Sequence, residues 1–483
     1  MTDNAVPKRI IVIGGGISGL AAAHHLLEWS RQRHVNIDVN LLEAGPRLGG
    51  VIHTIHRDGF TIEAGPDNFI TTKPAGVALC RRLGLEPLLQ GTTTQHRGAM
   101  VVRGKRLLPI PEGFLLMAPS QIMPIVTSRI FSPWGKLRMA MEPFVPARRG
   151  GADESLASFV TRRFGSELLD RLVQPLVGGI YTADPQRLSV RTTLPRFLDM
   201  EVREGSLIKA MRKTARTRGR ATETGARYSM FVTLKPGMSA LPEAIAGRIG
   251  RDRIHLHTAV TRVERDGSCD APWSITAADG RSWRADAVIV ACPTPAAASI
   301  LSALDAELSH QLSAIDYASS AVVHLAFRRD QIGHALNSFG FVVPHRERRA
   351  ILACSFNSVK YEGRAPAGWV LLRAFLGGKL QETLLERDDA ELMAAARNDL
   401  AELLDIRGAP AWCMIHRWHK ALAQYDVGHL DRIKAIRDRA ASHPGLFLAG
   451  NGFEGVGIPD CIAEAERAAA QLISASCGIA VMK

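Results

Sequence analysis

The stretch RIIVIGGGISGLAAAHHLL, residues 9–27, decides the predicted fold of the chain. RIIVI is a β-branched run typical of a buried strand, and apolar residues recur at helical spacing after the glycines. Gly14, Gly16 and Gly19 fit the pattern G-x-G-x-x-G. In that pattern Gly14 allows a tight turn, Gly16 lets backbone N–H groups approach a diphosphate, and Gly19 lets the helix pack against the strand. The stretch therefore predicts a helix N-terminus that binds phosphate groups.

A second strand supports a nucleotide cofactor. VNIDVNLLEA, residues 35–44, ends its apolar run at Glu43, 24 residues beyond Gly19. An acidic side chain at about this distance accepts hydrogen bonds from the ribose hydroxyls of a dinucleotide. The alternative, a glycine-rich turn without a ligand, requires both features to be accidental.

Composition and charge limit the classes of function. The chain has 483 residues, of which 46% are hydrophobic and 22% charged, so it is globular, with room for two or three domains. The net charge of +13 is compatible with an anionic substrate, a membrane surface or nucleic acid. The basic stretch 203–227 lacks interleaved aromatic residues that could stack on bases. It predicts a solvated basic loop, and we expect no nucleic-acid partner.

Cellular location follows from what the sequence lacks. The N-terminus enters a strand without a preceding apolar signal region, so we expect no secretory signal. The seven cysteines are scattered and form no CxxC, which favours a reduced, cytoplasmic compartment. The most apolar segment, 113–131, is interrupted by Pro119, Pro124 and Arg129. It predicts peripheral contact with the inner face of a membrane, or the wall of an apolar pocket, but not a membrane-spanning helix.

The order of strand-like and helix-like segments predicts an α/β fold with a split nucleotide domain. Strand, glycine loop and helix recur at the end of the chain, in LFLAGNGFEGVGIPDCI, residues 446–462. We expect this closing loop to lie beside the opening one. A helix is predicted around Asp388 to Leu404. The predicted parts are 1–97, 226–298 and 431–483 for a Rossmann-like cofactor domain, 98–225 for a mainly helical insertion facing substrate or membrane, and 299–430 for a mixed-sheet substrate domain.

Several longer motifs resemble one family. AGPRLGGVIHT, residues 44–54, resembles flavoproteins of the amine oxidase superfamily, in which this segment runs along FAD. FTIEAGPDNFITTK (60–73), QPLVGGIYTADPQRLSV (174–190) and the closing 446–462 motif are more specific. Together they resemble the oxygen-dependent, FAD-containing porphyrinogen oxidases of late haem synthesis, over nearly the whole chain. One departure is Ala423 in ALAQY, where the family has proline.

The resemblance implies FAD as the cofactor and a set of site residues. Gly65 and Pro66 would lie against the flavin ring, and the backbone of Val260 near the adenine. Lys73 would meet a substrate carboxylate; the alternative is a solvent-exposed lysine before Pro74. The complete predicted cofactor set is Gly14, Gly16, Ile17, Ser18, Gly19, Glu43, Ala44, Arg47, Gly49, Gly50, Gly65, Pro66, Asp67, Val260, Gly450, Asn451, Val456, Gly457 and Ile458.

The family's reaction is the six-electron oxidation of a porphyrinogen to a porphyrin, with dioxygen as acceptor and hydrogen peroxide as product. The flavin supplies the chemistry, so we predict no catalytic acid or base and no metal. Lys73 and the VGIPDCI motif favour coproporphyrinogen III over protoporphyrinogen IX. The porphyrin would pass to the next enzyme of the haem pathway. The alternatives are another amine oxidase or desaturase, and a non-catalytic binding protein with the same fold.

Overall fold

The structure is a computed structural model that describes residues 7–477, apart from 97, 112–113, 116–117, 120–122, 149, 219–229 and 267–270. The strands of the described residues are β1 (Lys8–Ile13), β2 (Ile37–Leu42), β3 (Thr54–Arg57), β4 (Phe60–Glu63), β5 (Phe69–Ile70), β6 (Leu89–Gly91), β7 (Met100–Arg103), β8 (Arg106–Pro109), β9 (Phe114–Leu115), β10 (Ala118–Pro119), β11 (Phe231–Leu234), β12 (Ile254–His255), β13 (Val260–Arg265), β14 (Trp273–Ala277), β15 (Ser282–Ala285), β16 (Ala287–Val290), β17 (Tyr317–Arg328), β18 (Gly340–Val342), β19 (Ile351–Phe356), β20 (Trp369–Gly377), β21 (Trp412–Ala423) and β22 (Leu446–Leu448).

The α-helices of the same residues are α1 (Ile17–Arg33), α2 (Pro74–Arg82), α3 (Met123–Thr127), α4 (Pro133–Ala140), α5 (Leu156–Phe164), α6 (Ser166–Leu168), α7 (Gln174–Tyr181), α8 (Val190–Thr193), α9 (Pro195–Glu204), α10 (Leu207–Arg218), α11 (Ala240–Ile249), α12 (Thr294–Leu301), α13 (Ala306–Ser313), α14 (Asn357–Lys360), α15 (Asp389–Leu404), α16 (His429–Ala441) and α17 (Ile458–Cys477). A π-helical turn, Leu169–Val173, joins α6 to α7. None of these helices combines the length and the apolarity that crossing a bilayer requires.

A five-stranded parallel sheet unites distant parts of the chain. Its order is β12-β2-β1-β16-β22, and every neighbouring pair is parallel. Strands from the first hundred residues therefore pair with strands from the middle and the end of the sequence. This order is typical of nucleotide-binding α/β folds, in which ligands bind outside the carboxyl ends of the strands.

Both faces of this sheet are covered, as the uninterrupted apolar run of β1 requires. Ile10 and Val12 pack on one side with α1, α11 and α17. Ile11 and Ile13 point to the other side, into the core shared with α12 and the β13–β15 sheet. Successive strand residues face opposite ways, so a strand buried on both faces must be apolar throughout.

A seven-stranded sheet forms the second layer, in the order β21-β17-β20-β19-β18-β7-β8. Its pairs are antiparallel except for β7 with β18. Strands β7 and β8 come from the range 98–225, which the sequence assigned to a helical insertion. Strand β7 pairs with β18 of the long sheet and β8 pairs with β7, so the α-helices of this range begin only after these two strands.

Helix α15 covers one face of this sheet and begins where the sequence predicted. The Asp388 side chain accepts a hydrogen bond from Glu391 N at 2.8 Å, and the Glu391 side chain accepts one from Asp388 N at 3.2 Å. This reciprocal capping box fixes the start of the helix. Leu392 and Leu400 then face the sheet.

The basic stretch 203–227 is partly helical. Residues 207–218 form α10, so the prediction of a loop is wrong there. LIKAMRKTARTR is composed largely of good helix formers, and the side chain of Ser206 accepts a hydrogen bond from Lys209 N at the start of the helix. Arg203 and Glu204 end α9, and residues 219–227 lie outside the described part of the chain.

A buried ion pair joins the helices of residues 123–218. The Arg163 side chain is fully buried and binds the Glu142 carboxylate. It also donates to the carbonyl oxygens of Val145 (2.9 Å) and Gly205 (3.0 Å). Glu142 in turn accepts from Leu207 N at 2.9 Å, at the start of α10. Removing one member of such a pair leaves the other charged and buried.

We expect Arg163→Met to lower the free energy of unfolding by about 3–5 kcal/mol, because Glu142 loses its counter-charge inside the protein. Urea unfolding followed by circular dichroism measures this change. The matched control is Arg284→Gln, which breaks the exposed pair Arg284–Asp266 (2.9 Å) and should change stability by less than about 1 kcal/mol. Equal effects of the two substitutions would contradict the structural role of Arg163.

Candidate functional site

The carboxyl ends of four parallel strands meet at one edge of the five-stranded sheet. Gly14 N donates to Leu42 O at 2.8 Å, Ala291 N to Ile13 O at 2.8 Å, and Ala449 N to Val290 O at 3.0 Å. The opening and closing glycine loops therefore emerge side by side, as the sequence predicted. Loops at the carboxyl ends of parallel strands are the usual ligand site of this architecture.

Three glycines of the opening loop are fixed by close contact, and one is not. A Cβ at Gly19 would lie 1.8 Å from Gly14 O, and a Cβ at Gly14 would lie 2.9 Å from Ala291 O. A Cβ at Gly15 would lie 2.7 Å from the Leu48 side chain. At Gly16, the N-cap of α1, a Cβ would meet no atom within 4 Å. The open space thus lies directly before the N–H groups of the first helical turn, which lack partners within the helix.

Glu43 lies beside this open space. Its carboxylate accepts hydrogen bonds from Gly15 N at 2.5 Å and from Gly45 N at 2.7 Å. Each carboxylate oxygen can accept more than one bond, so Glu43 retains capacity for a hydroxyl group. Ala44 is exposed at the same edge. The Glu43 carboxylate thus shapes the glycine loop through two backbone hydrogen bonds and can still accept a hydrogen bond from a ligand hydroxyl group.

Arg47 holds the neighbouring turn in place. Its guanidinium donates to the carbonyl oxygens of Gly50 (2.7 Å) and Ile52 (3.1 Å), and burial lowers its pKa. Gly49 N donates to Gly15 O at 2.8 Å, and a Cβ at Gly50 would lie 3.3 Å from the Cα of Gly16. Gly49 and Gly50 are therefore packed against Gly15 and Gly16.

Gly65 continues the same surface. A Cβ there would lie 1.6 Å from Val51 O, so no other residue fits the observed backbone. Val51, although apolar, is 39% exposed. The preceding carbonyl, Ala64 O, accepts from Trp418 Nε1 at 2.8 Å, which fixes the turn to the seven-stranded sheet. Pro66 follows, half-buried.

The buried side chain of Asp67 does not reach toward this surface but turns into the protein. Its carboxylate lies 3.0 Å from Lys360 Nζ and 3.3 Å from Arg373 Nη1. Burial alone would raise the pKa of Asp67; the two cations outweigh burial and lower that pKa to about 2. Arg373 also donates to Gly65 O. Lys360 and Arg373 thus anchor the turn from beneath.

Three histidines surround the same turn. His324 Nε2 lies 3.0 Å from Glu63 O, and the rings of His53, His416 and His324 follow one another at centroid distances of 6.1 and 6.0 Å. Burial lowers the pKa of each of them. Neutral histidines beside Arg373 add no positive charge, so Lys360 and Arg373 remain the cations of the turn.

The closing loop is held by two tyrosines. Asn451 Oδ1 accepts from the Tyr317 hydroxyl at 3.1 Å, and Asn451 O accepts from the Tyr425 hydroxyl at 2.6 Å. Gly450 has a φ of +145°, and its Cβ position faces Cys292 O at 3.7 Å. Since the Cβ position of Gly14 faces Cys292 N at 3.1 Å, Gly14 and Gly450 flank the same residue.

The remaining predicted cofactor residues lie around this edge. Val456 and Gly457 are partly buried and lead into α17, which begins at Ile458. Ser18 is buried at the start of α1, and the buried Cys461 thiol donates to Gly455 O at 3.7 Å, which ties α17 to the closing loop. Ile17 is buried at the first turn of α1.

Val260 begins β13, after a segment that pairs with the loop following β2. Glu43 N donates to His255 O at 2.9 Å, and Thr258 N donates to Glu43 O at 2.8 Å. Val260 therefore follows the segment that brackets Glu43, on the Glu43 side of the opening loop. Its half-buried side chain packs against the core shared with β14 and β15.

Lys73 reaches the closing loop. Its Nζ lies 2.5 Å from Asp460 Oδ1, in the first turn of α17. Lys73 is therefore neither buried nor free in solvent: it stands at the rim of the glycine loop 455–457. Asp460, Lys360 and Arg373 are absent from the predicted site. For Asp460 the motif EGVGIPDCI was a signal, because Asp460 lies two residues beyond the predicted Ile458.

The geometry fits a dinucleotide with a flat ring. Glycine backbones leave room at Gly16, the N-terminus of α1 faces that room, and an acceptor stands at Glu43. A long cradle continues past Gly50 and Val51 to Gly65 and the closing loop. At Gly16 the absence of a Cβ leaves room for a ligand to approach the backbone, whereas at Gly65 contact with Val51 O already requires glycine.

Known proteins resemble this chain over its length. Residues 17–473 match the family model of flavin containing amine oxidoreductases. The coproporphyrinogen III oxidase of Bacillus subtilis (strain 168) is 37% identical, over 97% of this chain and 98% of that protein. Protoporphyrinogen oxidase 2 of Arabidopsis thaliana is 28% identical, over 97% and 94%.

A solved crystal structure from Exiguobacterium sp. 255-15 superposes with a TM-score of 0.85 at 30% identity, covering 97% of this chain and 99% of the other. Sequence and structure thus agree on one family along nearly the entire chain. Within the matched residues lie Gly19, Glu43, Gly65 and the closing loop, whereas Gly14, Gly15 and Gly16 directly precede them. This chain belongs to the flavin-containing amine oxidoreductase family.

Proposed function

We propose that the chain is an oxygen-dependent porphyrinogen oxidase of haem biosynthesis, with coproporphyrinogen III as its preferred substrate. The cofactor is FAD. The observation that carries the substrate class is the Lys73 ammonium beside the glycine loop 455–457, where it can bind a carboxylate of a flat macrocycle. Similarity to the coproporphyrinogen III oxidase of Bacillus subtilis over 97% of the chain supports the choice of substrate.

The loops at the sheet edge would hold FAD. We assign the diphosphate to the space before Gly16 and the N-terminus of α1, and the adenosine ribose to Glu43. Gly450 and Asn451 would contact the diphosphate and ribityl chain. The flavin ring would lie along Gly65, Pro66 and the residues 456–458. Asp67 would act indirectly, since its carboxylate binds Lys360 and Arg373.

When bound, FAD would accept electron pairs from the substrate and pass them to dioxygen. The complete reaction removes six electrons and six protons from the macrocycle and reduces three dioxygen molecules to three hydrogen peroxide molecules. The residues of this chain orient the macrocycle, neutralise its carboxylates and exclude water. No acid or base of the chain is assigned to the reaction. The porphyrin would then be used by the next enzyme of the haem pathway.

We also propose how the chain divides its work. The ranges 1–97, 226–298 and 431–483 would carry the cofactor, because β1, β2, β12, β16 and β22 share one sheet. The range 299–430 would carry the substrate wall, together with β7 and β8, which belong to the seven-stranded sheet. The helical residues beyond β8 would close the site and face a membrane.

An apolar surface supports the membrane contact. Trp134, Leu137 and Met141 are 79%, 53% and 51% exposed, and their spacing places them on one side of α4 and its end. Phe144 is 86% exposed, just beyond them. Ile130 and Phe131, within the segment 113–131, are buried. Met123 and Val126 of the same segment are 72% and 52% exposed, so the proposed contact comprises part of that segment together with residues 134–144.

Activity is tested by porphyrin fluorescence in aerobic buffer after addition of coproporphyrinogen III or protoporphyrinogen IX. We expect kcat/KM to be about fivefold or more higher for coproporphyrinogen III, because it offers two further carboxylates to a chain of net charge +13. Hydrogen peroxide should appear with the porphyrin, and removal of dioxygen should stop turnover. Rates equal to autoxidation with both substrates would overturn the proposed function.

Cofactor binding is tested by Gly16→Leu. Its side chain would occupy the space assigned to the diphosphate, so FAD retention, measured as flavin absorbance per protein, should fall about tenfold or more. The matched control is Gly247→Leu, in α11, where a Cβ likewise meets no atom within 4 Å. Full FAD retention by the Gly16 variant would place the diphosphate elsewhere.

Membrane contact is tested by co-sedimentation with vesicles of phosphatidylglycerol and phosphatidylcholine. The double variant Trp134→Ser and Phe144→Ser should lose most of the bound fraction, because these side chains would insert into the interface. Val427→Ser, at another exposed apolar residue, should bind as the unaltered protein does. Equal binding of all three proteins, or none, would contradict the proposed surface.

A further inference from the structure

The ion pair between Lys73 and Asp460 joins the two ends of the cofactor site. Lys73 is the N-cap of α2, and Asp460 lies in the first turn of α17, 387 residues further along the chain. Lys73 Nζ lies 2.5 Å from Asp460 Oδ1. The Lys73 side chain is 49% exposed and that of Asp460 only 19%. The ammonium is thus accessible from the site, whereas its partner is the more enclosed group.

The Asp460 carboxylate occupies a recess that glycines leave open. A Cβ at Gly455 would lie 2.3 Å from Asp460 Cγ, and a Cβ at Gly457 would lie 3.0 Å from Asp460 Oδ2. The loop proposed to contact the flavin ring is therefore shaped around this carboxylate. An exposed ion pair formed by chance needs no such recess. Asp460 is therefore an integral part of the rim formed by Lys73 and the glycine loop 455–457.

A third part of the chain faces the pair. Tyr181 is the last residue of α7. Burial raises the pKa of its hydroxyl group to about 12, and the charge of Asp460 contributes to the same shift. Its backbone oxygen accepts from Gln424 Nε2 at 3.1 Å, which holds α7 against the end of β21. The charge of Asp460 thus reaches across the rim to the wall formed by the helical residues.

We propose that Asp460 is a positioning and selectivity residue that holds Lys73 at the rim and shares it with a carboxylate of the bound tetrapyrrole. This inference rests on the proposed function, because it assigns a substrate carboxylate to Lys73. It adds a residue that limits the affinity of the site for carboxylated ligands. The negative charge of the Asp460 carboxylate then also favours release of the porphyrin product.

The physical basis is the number of donors and the balance of charge. An ammonium has three N–H donors, of which Asp460 takes one, so a second carboxylate can bind without displacing the first. The negative charge of Asp460 lowers the attraction that Lys73 exerts on that second carboxylate. Without Asp460 the rim would bind the porphyrin product more tightly and release it more slowly.

The test is the affinity of the FAD-loaded protein for coproporphyrin III, measured by fluorescence titration without turnover. Asp460→Asn should tighten binding about fivefold, the scale of a half-exposed charge pair, and high salt should abolish the difference. Lys73→Gln should weaken binding by more than fivefold, because Asp460 would then repel the ligand unopposed. The expected kinetic counterpart for Asp460→Asn is a lower KM without a higher kcat.

The matched control is Asp266→Asn, which removes the acidic member of the exposed pair with Arg284 and should leave coproporphyrin affinity unchanged. Unchanged or weaker binding by Asp460→Asn would overturn the role of Asp460, and so would loss of FAD from that variant, which would make Asp460 a support of the loop. Failure of the unaltered protein to bind coproporphyrin would instead overturn the proposed substrate.

Discussion

The contact between α1 and the loop before it governs the rest of the structure. A methyl group at Gly19 would lie 1.8 Å from Gly14 O, so the helix can approach the strand only without a side chain there. That approach brings the helix N-terminus to the edge of the parallel sheet. The turn at residues 49–50, the backbone of Gly65 and the closing loop are all arranged around the same open space. A backbone hydrogen bond from Gly49 N to Gly15 O positions the turn. The side chains of Trp418 and Arg373 hold the backbone at Gly65, and tyrosine hydroxyls hold the closing loop.

The charged side chains beneath the turn at Gly65 fix the conformation of that turn more than they stabilise the protein. Asp67 and Arg373 are buried and Lys360 is partly buried beside them, and replacing such groups by apolar residues often costs little or stabilises a protein. Their geometry has a specific effect here: Arg373 binds both Asp67 and the carbonyl of Gly65, so the backbone that would meet the flavin has one orientation. The pair of Arg163 and Glu142 fixes the helical residues in the same manner.

Much of this arrangement could be predicted from local sequence. The opening strand, glycine loop and helix, Glu43, and the start of α15 are encoded by short-range spacing and capping, and the structure has them where the pattern indicated. Lys360 and Arg373 could not be found in this way, because their partner Asp67 is hundreds of residues distant. Asp460 lies in a motif that was a signal, but its pairing with Lys73, 387 residues away, could not be read from local spacing. The place of β7 and β8 in the long sheet was missed because β18, which pairs with β7, follows some 240 residues later; β8 joins the sheet only through β7. The basic stretch was taken for a loop on its charge, although its side chains favour a helix.

The split of the parallel sheet has a consequence for biosynthesis. Helix α1 packs on α17, and β22 completes the sheet edge, yet about 420 residues separate α1 from α17. At roughly 5–20 residues per second, the ribosome needs on the order of 20–90 s to produce the second helix after the first. During that time the apolar face of α1 has no final partner, and no cofactor can be enclosed. FAD can therefore be enclosed between the opening and closing loops only after α17 has been synthesised, and the face of α1 that meets α17 is open to non-native contacts until then.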